Sequence, residues 1–307
     1  MIEGQEGVYW EQWVALARAC EESGLEGLFR SDHYQSVFDV SGRGSLDAWA
    51  TLAGLAAVTE RIRLGTMVSP ATFRRPSVLA RLVTTADHIS GGRVELGLGA
   101  GWNVREHEAY GVPFPDLGER MELLEEQLEI VHRQWTEEEF SFEGRHYRLD
   151  RCRAEPKPLQ RPHPPLIMGG AAGPRAARLA ARWADEYNTT FATLEDCRER
   201  RARIVDACEQ AGREPIVFSL MTACVVGRDP REVLDRARRR LAASGHDEDP
   251  IVLLGQEDKL VGTVEEVVAR LQEYERAGVE RVFLQHLDHA DVEMVRLIGA
   301  EILPSLV

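Results

Sequence analysis

Residues 165–175, Pro-Leu-Ile-Met-Gly-Gly-Ala-Ala-Gly-Pro-Arg, change character twice within a few positions. Leu166, Ile167 and Met168 form a short apolar run of the kind that crosses a sheet buried on both faces, and Gly169 and Gly170 break it. Pro174 then suits the first turn of a helix, where its missing N–H has no partner to lose and its fixed φ is already helical. The stretch reads as strand, tight turn and helix, one βα unit. Its turn, Gly170, Ala171, Ala172 and Gly173, together with the amides of the helix start, is either an ordinary glycine-rich βα turn of a barrel or a phosphate site in which Arg175 is available to pair with the anion, placed after the fifth strand rather than after the seventh or eighth as is usual.

The same rhythm continues in both directions. Apolar or β-branched runs at 2–5, 26–30, 62–68, 93–98, 165–169, 186–191, 216–226 and 280–286 alternate with longer helical patterns. Such alternation builds a parallel sheet, and eight strands favour an α/β fold of the (β/α)8 TIM-barrel type over an open sheet. Helix ends agree with this reading. Asp229-Pro230-Arg231-Glu232 and the Thr263/Glu266 pair are helix starts, while Ala211-Gly212 and Ala277-Gly278 are stops just ahead of strands.

The 307 residues read as a single barrel domain with two interruptions, 99–164 after the fourth strand and 244–262 after the seventh. The first holds a glycine-rich turn, an acidic helix over about 117–135 and a proline-rich run from Pro156 to Pro165. Insertions at the carboxyl ends of barrel strands build binding sites, so both are expected to form lids or walls. The first strand is brief: either it is a stub, or Met1 falls inside a longer strand, and both readings stay open.

With 37 basic against 51 acidic residues the net charge is −14, which argues against a broad nucleic-acid or anionic-membrane surface. An anionic ligand must meet a local group of arginines, since Lys157 and Lys259 are the only lysines. Five scattered cysteines without C-x-x-C spacing suit a reducing compartment and read as structural. No signal peptide and no apolar run near the ~18 residues of a membrane span are visible, so a soluble cytoplasmic protein is expected.

Three further strand ends carry candidate chemistry. Ser31, Asp32 and His33 follow the second strand, where side chains face the mouth of a barrel. A carboxylate beside an imidazole either orients it as a general acid near neutral pH or merely ties down a loop. Thr66, Met67, Val68 and Ser69 end the third strand beside Gly65, a position open to close approach of a flat ligand. Gly97, Gly99 and Gly101 precede Trp102 and Asn103. A dinucleotide fingerprint would need a helix opening at once and an acidic residue ending a second strand, so these glycines instead suit backbone packed against a planar ring. His88, beside Asp87, reads as a helix-terminal structural group, and His107, His132, His146, His163, His246, His286 and His289 lack metal-ligand spacing, so no metal is expected. A G-x-S-x-G elbow is also absent.

Taken in order, GLFRSDHY (27–34), TERIRLGTMVSP (59–70), DHISGGRVELGLGAGWNVREHEAYGVPFP (87–115), RPHPPLIMGGAAGPR (161–175), WADEYN (183–188) and VGTVEEVVARLQEYERAGVERVFLQ (261–285) resemble the luciferase-like monooxygenase superfamily, and within it the coenzyme F420-dependent oxidoreductases. The resemblance spans essentially the whole chain. It implies a TIM barrel that binds a flavin or deazaflavin, with hydride transfer to or from a small organic substrate. By position, Asp32 and His33 match the acidic residue and histidine beside the reactive ring, with Asp32 orienting and His33 handling the proton. Met67 and Val68 match a bulge, often with a non-proline cis peptide, that backs the ring. Ala172 and Gly173 match the phosphate turn. F420 is the expected cofactor and flavin mononucleotide (FMN), as in oxygen-inserting relatives, the alternative; a homodimer is implied as well. A non-catalytic flavin-binding homologue and a metal-dependent hydrolase remain as rivals.

Overall fold

A computed structural model describes residues 1–245 and 249–306 of the chain. Parallel strands β1 (Gly27–Arg30), β2 (Arg63–Thr66), β3 (Ser69–Pro70) and β4 (Val94–Gly99) form the first half of the barrel. An antiparallel hairpin, β5 (Phe140–Glu143) and β6 (Arg148–Cys152), lies outside it, and β7 (Leu166–Gly169), β8 (Glu186–Thr190) and β9 (Val217–Gly227) continue the sheet. The eleven-residue β9 pairs with β11 (Arg281–Gln285) along Ser219–Ala223 and with β10 (Leu260–Thr263) along Cys224–Gly227.

Closure is made by very little chain. The expected strand at 2–5 is a single residue, Ile2, bridging in parallel to Arg30 on one side and His286 on the other. Its N–H donates to Phe29 O at 2.9 Å and its carbonyl accepts from Ser31 N at 3.1 Å, after which Gly4–Glu6 turn as a 3₁₀ helix. The other expected strands fall within a residue or two of those observed, except that 62–68 divides at Met67–Val68, whose peptide bond is cis. The sequence reading did not find β10 or the hairpin.

Helices α1 (Trp10–Glu22), α2 (Ala48–Ala57) and α3 (Pro76–Ser90) cover the first strands. A short α4 (Val104–Tyr110) follows β4, and then α5 (Leu117–Thr136) turns Leu124, Leu128, Val131 and Trp135 inward at helical spacing. Its Gln134 and Trp135 side chains donate to Ser77 O and Ala80 O in α3 at 3.0 and 3.2 Å. Packed between α3 and α6 (Pro174–Trp183), most of α5 belongs to the helical layer itself, so within 99–164 the mouth is reached by Gly99–Trp102, by Glu106 of α4 and by Leu117 and Met121 in the first turns of α5. The proline-rich return is tied to α3 by Asp87, which accepts from the amides of Leu159 and Gln160 at 2.6 and 3.1 Å. Helices α7 (Leu194–Gln210), α8 (Pro230–Ala243), α9 (Ile251–Leu254), α10 (Val264–Arg276) and α11 (Val292–Leu297) complete the layer. The caps expected at Asp229 and Thr263 form: the Asp229 carboxylate accepts from Glu232 N, and Thr263 and Glu266 make a reciprocal capping box. Of the expected insertion 244–262, residues 246–248, His246 among them, lie outside the described residues.

Near the amino ends of the strands, Arg281 closes the barrel floor. Its Nη1 lies 2.7 Å from Glu95 and 3.0 Å from Glu186, and its guanidinium rests on the rings of Phe29 and Phe283. The opposite, carboxyl end is left open.

Candidate active site at the carboxyl ends of the strands

A cavity of about 940 Å³ opens there, and its two sides differ in chemistry. On one side Met67 and Val68, joined by the cis peptide, stand over the backbone of β4 and β7. The glycines of these strands are needed because Val68 fills the space beside them. A Cβ on Gly99 would lie 2.8 Å from Val68 Cγ2, one on Gly169 3.3 Å from Val68 Cγ1, and one on Gly97 2.1 Å from the Thr66 carbonyl. This wall is therefore flat backbone and small side chains. Gly97→Ala is expected to lower stability by at least about 1–3 kcal/mol, since backbone rather than a flexible side-chain tip must move. Urea denaturation measures it, and an unchanged midpoint would contradict the close packing.

On the other side a polar chain crosses from the amino-terminal stub to α8. Ser31 Oγ donates to Gln5 at 2.5 Å, Gln5 Nε2 to Glu3 at 2.8 Å, Gln285 Nε2 to Glu3 at 2.7 Å, and Arg240 Nη2 to Gln285 Oε1 at 2.7 Å. Ser31, Glu3, Gln285 and Arg240 all line the cavity.

His33 stands at the mouth with Nδ1 2.6 Å from Glu106 Oε1 in α4. A carboxylate only accepts, so the Nδ1 proton points at Glu106 and Nε2 is the nitrogen left for the cavity. Glu106 is 1% exposed and also accepts from Tyr34 N at 3.1 Å, which fixes its second oxygen. Trp102 meets the imidazole edge-on at 5.4 Å between centroids. Burial opposes the cationic ring, but the Glu106 hydrogen bond and charge, helped by Glu3 and Asp32, outweigh it and raise the His33 pKa above the ordinary value. The ring therefore keeps its proton to higher pH than an ordinary histidine.

The expectation that Asp32 orients His33 is corrected. Asp32 does not line the cavity; its carboxylate accepts from Ser69 Oγ at 2.6 Å and from Arg74 at 2.5 and 3.2 Å, away from the imidazole. Successive residues of an extended chain point to opposite faces, so Ser31 and His33 turn to the mouth while Arg30 and Asp32 turn to the helix layer. Arg30 is fully buried there, donating to Ser31 O, Thr51 Oγ1, Ser45 Oγ and Leu46 O at 2.9–3.0 Å, with burial pushing its pKa down to about 10.

Of the other expected site residues, Met67, Val68, Gly99, Gly101, Gly170 and Ala171 line the cavity, whereas Thr66, Asn103, Ala172, Gly173 and Arg175 stand off it. Thr66 spends its hydroxyl on Gly97 O at 2.9 Å, and Arg175 is drawn to Glu125 at 3.0 Å. Asn103 begins α4, where its carbonyl accepts from His107 Nδ1 at 2.6 Å; Thr72 then donates to His107 Nε2, so His107 locks α4 in place. In the glycine turn, Gly170 N donates to Asn188 O at 3.0 Å and Ala172 N to the Tyr187 hydroxyl at 2.9 Å. This leaves the amides of Ala171 and Gly173 and the first turn of α6 for an anion.

Glu106, Glu3, Gln285, Arg240 and Asn188 were not found from sequence. Asn188 donates to Ser219 at 2.9 Å, and its buried Oδ1 has no partner among the described residues, which makes it a place on the cavity wall for a ligand N–H. His286 is pushed down to about 4 by burial and its Nε2 donates to Asp291 O, so it does not face the mouth as an acid. Among the described residues no His, Cys, Asp and Glu group could hold a metal ion, and no helix is long and apolar enough to cross a membrane.

A profile of the family described as luciferase-like monooxygenase matches residues 2–281. An uncharacterised protein of Mycobacterium tuberculosis is 33% identical over 273 residues, covering 84% of this chain and 92% of that one. An F420-dependent glucose-6-phosphate dehydrogenase of Microbacterium testaceum is 30% identical over 308 residues, covering 93% and 90%. The FMNH(2)-dependent dimethylsulfone monooxygenase of Pseudomonas putida is 30% identical over 220 residues, covering 71% and 58%. The crystal structure of monooxygenase RslO1 from Streptomyces bottropensis superposes with a TM-score of 0.82 over 97% of this chain and 94% of that one, at 24% identity, a likeness of fold.

Proposed function

The chain belongs to the luciferase-like monooxygenase family, and from that premise we propose that it is a hydride-transferring oxidoreductase using coenzyme F420. His33 gives or takes the substrate proton and Glu106 orients it. The observation that carries this reading is the His33–Glu106 pair at 2.6 Å on the cavity wall. Hydride delivery to a polarised double bond leaves an anion that needs a proton, and the reverse reaction needs a base at the same place.

The residues present fit the cofactor. The flat wall of Met67, Val68, Gly99 and Gly101 would back a planar ring, Asn188 Oδ1 would accept from an N–H at its edge, and the Gly170–Gly173 turn with the α6 amides would take a phosphate. Bound F420 supplies a two-electron hydride carrier that reacts poorly with oxygen. The protein's own part is to hold the proton at His33 Nε2 and to keep the imidazole in one tautomer through Glu106.

FMN is the second reading, favoured by the identity to the FMNH(2)-dependent dimethylsulfone monooxygenase. Titrating the protein with F420 and with FMN, followed by absorbance and fluorescence, separates the two. F420 is expected to bind the more tightly. Saturable FMN binding with no response to F420 would replace the first reading by the second.

A further inference from the structure

The side of the cavity facing the cis peptide carries a charge that no carboxylate contacts among the described residues. Arg240 lines the mouth, is 8% exposed, and among the described residues forms no ion pair. Its Nη1 and Nη2 donate to the carbonyl and the Oε1 of one neutral residue, Gln285, at 3.2 and 2.7 Å, so most of its five N–H donors stay open. Gln285 in turn donates to Glu3, which separates cation from carboxylate by a neutral amide. Glu3 already accepts from Gln5 and Gln285 and asks for nothing more than the protein gives it.

Other buried arginines are answered differently. Arg74 meets Asp32 and Asp47, Arg281 meets Glu95 and Glu186, and Arg236 meets Glu232 and Asp291. Arg30 lacks a carboxylate but has four acceptors. Arg240 has neither, and unlike them it faces the cavity.

A ligand filling the cavity strips water from that guanidinium. The N–H groups that Gln285 does not take would then be buried without acceptors, which is unfavourable for a cation, so a ligand that fits must bring them. A carboxylate matches the guanidinium fork with two parallel bonds, better than a single carbonyl. The surrounding wall is apolar, made by Phe38, Leu241, Leu253 and Leu287. Lys259 and Asp258, one of each sign, also line the cavity. Its two buried carboxylates, Glu3 and Glu106, are taken up by protein donors, Gln5 and Gln285 for the first and His33 and Tyr34 N for the second, which leaves Arg240 as the charged group with donors still to place.

Resting on the reading of this site as a hydride-transferring centre, we propose that Arg240 is its substrate-recognition group and that the substrate is an apolar molecule bearing a carboxylate. Arg240 holds the carboxylate on the side of the cavity opposite the flat wall, and Gln285, braced by Glu3, sets the direction of the guanidinium.

The test compares phenylacetate with its neutral analogue phenylacetamide by calorimetry and thermal shift. Wild type, Arg240→Met and Arg240→Lys are each measured alone and with F420. Wild type is expected to prefer phenylacetate by roughly ten- to a hundredfold, the usual range for hydrogen bonds to a charged group. Arg240→Met should abolish the preference. Arg240→Lys, which keeps the charge and safeguards against a folding defect, should retain part of it. Failure of wild type to discriminate, whether both probes bind or neither does, overturns the proposal, as does a preference that survives in Arg240→Met. Carboxylate preference intact in a protein that ignores F420 would overturn the cofactor reading alone.

Discussion

In Glu106→Gln the His33 ring is expected to titrate below the ordinary histidine range instead of above it. In the wild type burial works to lower this pKa and is overcome by the Glu106 hydrogen bond and charge, with Glu3 and Asp32 adding less. Glutamine keeps the shape and removes the charge, so burial is left as the larger effect. The ring is then neutral at pH 7 and has no proton to give. Turnover with a substrate found by screening should fall by about 10²-fold or more, the usual share of a general acid. NMR titration of the ring in both proteins measures the shift without any substrate, and coincident curves would remove Glu106 from the proton pathway. Stability responds with a definite sign. A histidine whose pKa is raised by folding adds stability that is fully present below its unfolded value of about 6.5 and is lost as pH rises through the folded value. The gap in unfolding free energy between wild type and Glu106→Gln should therefore be widest on the acid side and narrow towards alkaline pH.

The residue that carries this prediction shows where sequence reading stops. The βα rhythm was legible because buried parallel strands are short apolar runs and their helices announce both ends, as Asp229, Thr263, Gly212 and Gly278 do. The glycine-rich strand ends were legible too, although their reason, the Val68 side chain lying over Gly97, Gly99 and Gly169, is a three-dimensional fact. β10 was missed because Leu260–Thr263 is short and runs directly into a helix cap. Glu106 was missed because 73 residues separate it from His33, and only the turn of α4 back across the mouth joins them. Adjacency suggested Asp32 instead, yet neighbours in extended chain face opposite ways. Applying that alternation to Arg30-Ser31-Asp32-His33 would have sent Ser31 and His33 to the mouth and the other two outward.

The outward pair makes the last prediction. Arg74→Met is expected to lower the free energy of unfolding by about 3–5 kcal/mol, as removal of one partner from a buried ion pair does. Asp32 is 1% exposed, and Arg74 gives it two hydrogen bonds while reaching Asp47, the N-cap of α2, at 2.7 Å. Burial opposes the Arg74 charge, and the field of Asp32 and Asp47 more than restores it, so its pKa is raised. Without Arg74 the Asp32 carboxylate keeps Ser69 and the more distant charge of Arg30, and the Asp32–Arg74–Asp47 bridge to the start of α2 is lost, leaving the Arg30 bonds to Ser45, Leu46 and Thr51 as the connection there. Asp32→Asn in the same background should recover part of the loss, because it removes the stranded charge; urea denaturation of the two single variants and the double variant measures that coupling. The same proteins decide what Asp32 does. If it belongs to the scaffold, His33 in Asp32→Asn titrates close to wild type, since Asp32 contributes the least of the charges acting on it. If the His33 titration collapses as it does in Glu106→Gln, Asp32 is part of the proton pathway after all.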